Sequence, residues 1–224
     1  MTEASQAEPL QWKLFIRRRA SATQGTPPGK DGLKWVANTT TLIHGEEDAL
    51  LVDTFLSEAQ TGELADWIAG SGKRLSTIYI THAHPDHFFG LKLLRDRFPE
   101  ARAITPGQVV DAMQATLAPE AVENWRRRFP GQIPSDLVSA ERLEGETFDL
   151  EGHEIVPIDI GHTDTDHTTC LHVPRRRKGR PSLCGSLEGH EIVPIVFSRR
   201  HKSPRWPRGL CSEARSRPSE GTAA

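Results

Sequence analysis

Ser76-Thr77-Ile78-Tyr79-Ile80-Thr81-His82-Ala83-His84-Pro85-Asp86-His87-Phe88-Phe89-Gly90 is the stretch on which the fold turns. Ile78, Tyr79 and Ile80 are β-branched or aromatic and predict a short strand after the charged break at Lys73-Arg74. From Phe88 onward the chain reads as a helix. Between the two, three imidazoles and a carboxylate fall within six residues. In an extended or looped backbone His82 and His84 lie on the same side, two residues apart, so both reach one ion. Asp86 and His87 follow Pro85, which bends the chain and turns their side chains toward a second position. Imidazole and carboxylate donors suit zinc, with iron or manganese as alternatives, and no Cys lies nearby to indicate a thiolate site.

His82-Ala83-His84-Pro85-Asp86-His87 matches the pattern H-x-H-x-D-H, and in this the chain resembles the metallo-β-lactamase-fold hydrolases. The resemblance runs from about Thr40 to Pro174. It implies a four-layer αββα sandwich with metals in a cleft along one edge of the stacked sheets. It further implies that His82 and His84 hold one ion, that Asp86 and His87 hold a second, and that His162, in Gly161-His162-Thr163, completes the first site. Asp53, ending Leu-Leu-Val-Asp-Thr, reads either as a support for the metal loop or as a plain strand-end cap.

A chain of 224 residues suits one domain with a substantial core. Its hydrophobic content is 36% and its mean hydropathy −0.50, and no run approaches the roughly 18 apolar residues of a membrane span. Residues 1–9 lack the basic start and apolar centre of a signal peptide. Three Cys (Cys170, Cys184, Cys211) make no paired framework, so the expected compartment is reducing and cytoplasmic, with Cys170 as a small core residue. The net charge of −2 hides an asymmetry: ten Arg and two Lys against four Glu after position 174 leave residues 1–174 at −10.

Along the chain, 11–19 predicts a first strand with a basic end, Arg17-Arg18-Arg19, read as a solvated edge rather than a nucleic-acid patch. Residues 20–32 form a loop; 39–43 and 49–53 form a hairpin around Gly45-Glu46-Glu47-Asp48. Residues 57–69 form a helix capped by Ser57 and stopped at Gly70-Ser71-Gly72. Helical spacing continues over 91–98, a strand follows at 101–105, and 108–117 and 119–129 are helices, the second with Pro at its first turn. Phe88 and Phe89 are assigned to the core. Strands return at 147–150, 153–160 and 169–173, with the second histidine-bearing loop between the last two.

The pattern breaks after Pro174. In the resembled family a strand ending in an Asp that bridges both metals, and a further His for the second site, would follow. Here comes a basic run, Arg175-Arg176-Arg177-Lys178-Gly179-Arg180-Pro181, and then 187–195, an unchanged copy of 150–158 at an offset of 37. One copy is not a solenoid. Identity followed by sudden divergence points to a duplicated or misread coding segment, which sequencing of the transcript across codons 170–200 tests. The chain thus divides into 1–38, an N-terminal segment with the first strand; 39–174, the metallo-β-lactamase-like domain; and 175–224, a basic, disordered tail that leaves the second sheet incomplete. The expected function is that of a metal-dependent hydrolase acting on an ester, lactone, thioester or amide of a small-molecule substrate. Asp86 orients the nucleophile and accepts its proton. The alternative is a catalytically impaired, metal-binding remnant. Nucleic-acid binding by the tail ranks last, because Trp206 is its only interleaved aromatic.

Overall fold

A computed structural model describes residues 8–18, 37–163, 165–174 and 190–192. In chain order the elements are β1 (Gln11–Arg18), β2 (Ala37–His44), β3 (Asp48–Val52), α1 (Glu58–Gly70), β4 (Arg74–Tyr79), α2 (Pro85–Phe88), α3 (Leu91–Arg97), β5 (Arg102–Thr105), α4 (Gly107–Thr116), α5 (Pro119–Arg128), β6 (Glu141–Arg142), β7 (Phe148–Leu150), β8 (His153–Gly161), β9 (Thr168–Pro174) and β10 (His190–Ile192). The expected loop at 20–32, the basic run at 175–181 and the tail beyond 192 lie outside the described residues.

Two sheets stack face to face. The six-stranded sheet has the order β1-β2-β3-β4-β5-β6, antiparallel over its first three strands and parallel from β3 to β6. The four-stranded sheet, β10-β9-β8-β7, is antiparallel throughout. Alternation along the strands feeds two separate cores. Phe15, Leu42, Leu51, Ile78 and Ala103 face the helices, where Leu64, Ile68, Phe88, Leu94, Met113 and Trp125 meet them. Ile43, Leu50, Val52, Tyr79 and Ile104 face Leu150, Ile155, Leu171 and Val173 of the second sheet. Three layers of the αββα sandwich are therefore described: helices, large sheet, small sheet. Tyr79 joins the two sheets. Its ring stacks on Phe148 at 6.0 Å, and its hydroxyl lies 2.8 Å from Thr169 Oγ1. Burial raises its pKa, so it stays a neutral phenol.

Local chemistry explains the boundaries. Ser57 Oγ accepts the Gln60 amide to cap α1, and Gly72, at φ 72°, releases the chain after Ser71. β4 starts at Arg74, four residues before the strand expected from Ile78. The Arg74 guanidinium makes paired bonds of 2.7 and 2.8 Å to Asp48, its register partner on β3, so the charge joins the strand instead of breaking it. The helix expected from Phe88 is two pieces, α2 and α3, because the Gly90 N–H donates to Thr54 Oγ1 at 3.2 Å, and α3 begins anew at Leu91. Phe88 and Phe89 are buried, edge to face at 5.1 Å.

A carboxylate ties the sheets together at the end away from the 82–87 loop. Glu151, in the β7–β8 turn, accepts the backbone N–H groups of Glu46 at 2.8 Å, Glu47 at 2.7 Å and Asp48, all in the β2–β3 turn. Desolvation pushes its pKa up, but these three donors and Lys73 outweigh that, and the carboxyl sits below its usual range.

The copied segment supplies β10, on the edge of β9 opposite the original strand. His190, Glu191 and Ile192 pair with Pro174, Val173 and His172, while Val156 of β8 pairs with His172 from the other side. β10 copies 153–155, which in β8 pair with β7, whereas the β8 residues that pair with β9 begin at Val156.

Candidate metal centre

The parallel strands β3, β4 and β5 all end at one edge of the large sheet, the place where open α/β sheets bind their ligands. Two loops are brought there: 80–90 after β4, and 161–168 between β8 and β9. β9 is fastened to the first of them by Thr169, whose N–H and Oγ1 both donate to the Thr81 carbonyl, at 3.0 and 2.8 Å.

Asp53 organises the histidines. It leaves β3 with φ 63°, is 3% exposed, and its carboxylate accepts three hydrogen bonds. Oδ1 takes the Thr81 N–H at 2.8 Å; Oδ2 takes the Thr81 hydroxyl at 2.8 Å and His87 Nδ1 at 2.9 Å. With the Thr81 hydroxyl proton committed to Asp53, the 2.9 Å contact between Thr81 Oγ1 and His82 Nδ1 runs from the ring to the hydroxyl. Both His82 and His87 are thus set as Nδ1–H tautomers, with the lone pair on Nε2.

His82, 1% exposed, lies with its ring centroid 4.0 Å from that of His87 and 5.2 Å from that of His84. Pro85 starts α2, and the His87 N–H donates to the His84 carbonyl at 2.9 Å, which folds the three rings together. The Thr54 N–H and hydroxyl hold the His87 carbonyl at 2.8 and 3.2 Å. Thr116 Oγ1 of α4 donates to the Ala83 carbonyl at 3.1 Å. Asp86 is held by Asn38 of β2, whose Nδ2 donates to its Oδ2 at 2.8 Å and to its backbone carbonyl at 3.2 Å.

His162 stands apart. Its side chain is 74% exposed, its Nδ1 is 2.7 Å from Asp166 Oδ1, and it makes no ring contact with the other three. His167 is exposed on the same loop, while His44 and His153 are buried as structural residues, His153 Nε2 donating to the Glu8 carbonyl at 2.9 Å. Among the described residues, no three or more His, Cys, Asp or Glu side chains stand in a metal-holding arrangement. The donor types of the clustered residues do fit a divalent transition ion: three imidazoles, two of them oriented through Nδ1, with the Asp86 carboxylate on the same loop.

The structure brings together His82, His84 and His87 with Asp53, whose two readings from sequence resolve in favour of support for the loop. Asn38, Thr54, Thr81, Thr116 and Thr169 were not singled out from sequence. Thr81 adjoins the motif and could have been; the others lie 30 or more positions away from their partners in most cases and carry no local signal.

No curated protein matches this chain in sequence. Among solved structures, a metallo-beta-lactamase from Pontibacter korlensis is similar with a TM-score of 0.50 and 17% identity, over 75% of this chain and 67% of that one. One from Hirschia baltica gives 0.47 and 17%, over 73% and 66%. The metallo-beta-lactamase FIM-1 from Pseudomonas aeruginosa, solved in a mono-zinc form, gives 0.48 and 16%, over 74% and 65%. The chain spans about two thirds of the length of these proteins. The sequence model of the metallo-beta-lactamase superfamily matches residues 33–177, well over half of the 224, and the chain belongs to that superfamily.

Proposed function

We propose that the chain is a metal-dependent hydrolase of this superfamily, cleaving an ester, lactone, thioester or amide bond in a small-molecule substrate. The observation that supports the reading is the Asp53–Thr81–His82 and Asp53–His87 hydrogen bonding, which commits Nδ1 of both rings and puts the lone pair on Nε2, the nitrogen a ligand imidazole would use. His82, His84 and His162 would hold one ion, Asp86 and His87 a second. Zinc suits the donor set best, iron and manganese less well. A bound ion would supply Lewis acidity, polarising the carbonyl and lowering the pKa of water toward neutrality.

The remaining work falls to the chain's own residues. Asp53 and Thr81 hold the imidazoles in one tautomer. Asp86, at the start of α2, is the carboxylate that orients the attacking water and accepts its proton. The working domain is 39–174, completed from the segment before it by β1 and by Ala37 and Asn38, the first residues of β2. No helix among the described residues is long and apolar enough to cross a membrane, and a cytoplasmic location belongs to the proposal. The test is metal content by elemental analysis of the purified full chain, together with hydrolysis of an ester and lactone panel, in the parent and in His84→Ala. Metal and turnover lost together in the variant support the reading; a parent without metal overturns it.

A second reading, a metal-binding remnant without turnover, is favoured by the exposure of His162 on Asp166. It predicts metal bound through His84 and no hydrolysis across the panel.

A further inference from the structure

We infer that Asn38 is a positioning residue for Asp86, an inference that rests on the metal-site reading above. Asn38 sits at the start of β2, 8% exposed and 48 positions from its partner. Its amide nitrogen serves two oxygens of one residue: the Asp86 carboxylate at 2.8 Å and the Asp86 backbone carbonyl at 3.2 Å. A carbonyl and an ionised carboxylate only accept, so the amide orientation is forced, and both Nδ2 protons are used.

The need for this contact comes from the break after α2. A continuing helix would satisfy the Asp86 carbonyl with the N–H of residue 90. That N–H goes instead to Thr54 Oγ1 at 3.2 Å, which leaves the Asp86 carbonyl to an outside donor. Asn38 fills the place, and the same nitrogen fixes the carboxylate. The backbone and side chain of Asp86 are thereby tied to the large sheet. In a bidentate hold of this kind a carboxylate presents one oxygen in one direction, which is the requirement for a ligand and for a proton acceptor.

Cobalt(II) titration of the full chain, in excess metal so that a weak position also fills, tests this. The readouts are affinity by chelator competition and the visible ligand-field spectrum. Asn38→Ala and Asn38→Asp should weaken the Asp86-containing position by roughly 10–100-fold and alter its spectrum, the range typical of lost outer partners. Asp86→Ala should cause a similar loss, and Asn38→Ala added to it should cost less than Asn38→Ala alone, because the carboxylate half of the contact is already gone and only the bond to the backbone carbonyl remains. Hydrogen exchange of metal-free protein gives an independent readout: peptides covering 84–90 should exchange faster in Asn38→Ala, with α1 and β8 unchanged. If His84→Ala still binds cobalt like the parent, the metal-site reading fails. If His84→Ala loses cobalt while both Asn38 variants keep the parent's affinity and spectrum, the inference about Asn38 is overturned and the site stands.

Discussion

His87 donates its Nδ1–H to Asp53 Oδ2 at 2.9 Å across 34 positions of sequence, and Asp53 receives it from a left-handed backbone at φ 63°. A non-glycine residue in that region costs on the order of 1 kcal/mol, less for Asp than for most. The cost is offset by three hydrogen bonds to one buried carboxylate. Asp53→Asn should therefore lower metal retention roughly 10–100-fold under chelator competition and lower the melting temperature of metal-free protein, since an amide nitrogen would face donors. Unchanged retention would leave Asp53 a clamp of the loop with no part in metal binding.

His84→Ala and Asp86→Asn should separate binding from chemistry. The first removes a proposed ligand of the three-histidine set, so tightly held metal and hydrolysis disappear together. The second keeps shape but removes the proton acceptor: the first ion stays and turnover falls by roughly 10²–10⁴-fold. Elemental analysis should find close to one tightly bound ion in the parent after exhaustive dialysis; two would mean that residues beyond 174 supply ligands.

The Glu151 clamp should show in stability against pH. Its folded-state pKa is lowered, so its contribution is complete above the ordinary Glu value of about 4.3 and disappears as pH falls through the lower folded value. Glu151→Gln should cost roughly 1 kcal/mol at neutral pH, allowing for screening at this exposed turn, and should flatten the acid limb of the melting curve. Gly45→Ala should reproduce the loss, because a Cβ there runs into the Glu151 carboxylate. The double variant should be no worse than the single ones.

Gly90→Ala should destabilise the histidine loop. An added Cβ would meet Thr61 Cγ2 at 2.7 Å and Thr54 Oγ1 at 3.1 Å, where α3 starts against α1. We expect a loss of roughly 1–3 kcal/mol by denaturant unfolding, the usual cost of overpacking. A midpoint equal to the parent's would show that α1 gives way.

Removing residues 175–224 strips β10 from β9 and opens the hydrogen-bonding edge at 172–174. Concentration-dependent association on size exclusion and a lower melting temperature are expected. A monomer as stable as the full chain would mean that the copied strand contributes nothing to the sheet.

Sequence by itself determined the histidine-rich loop at the end of a strand, the hairpin before it, the Ser57 cap of α1, the proline start of α5, and the order of the longer strands and helices to Pro174. These depend on spacing within a few residues: alternation for strands, apolar stripes for helices, Pro and Gly at turns. The superfamily was legible from six residues, 82–87, since so few arrangements put three imidazoles and a carboxylate so close together.

Tertiary structure alone decided what each of those residues touches. β4 runs back to Arg74 because Asp48 of a neighbouring strand neutralises it, and β6 exists only through its pairing with β5. Glu151 became a clamp, Asn38 the holder of Asp86, and Thr169 the link between the two loops. Each is a polar side chain whose partner is distant in sequence, so no local pattern marks it. The copied segment shows the same limit. Identical residues pair with β7 at 153–155 and with β9 at 190–192, because neighbours and not composition set which strand edge is open to them.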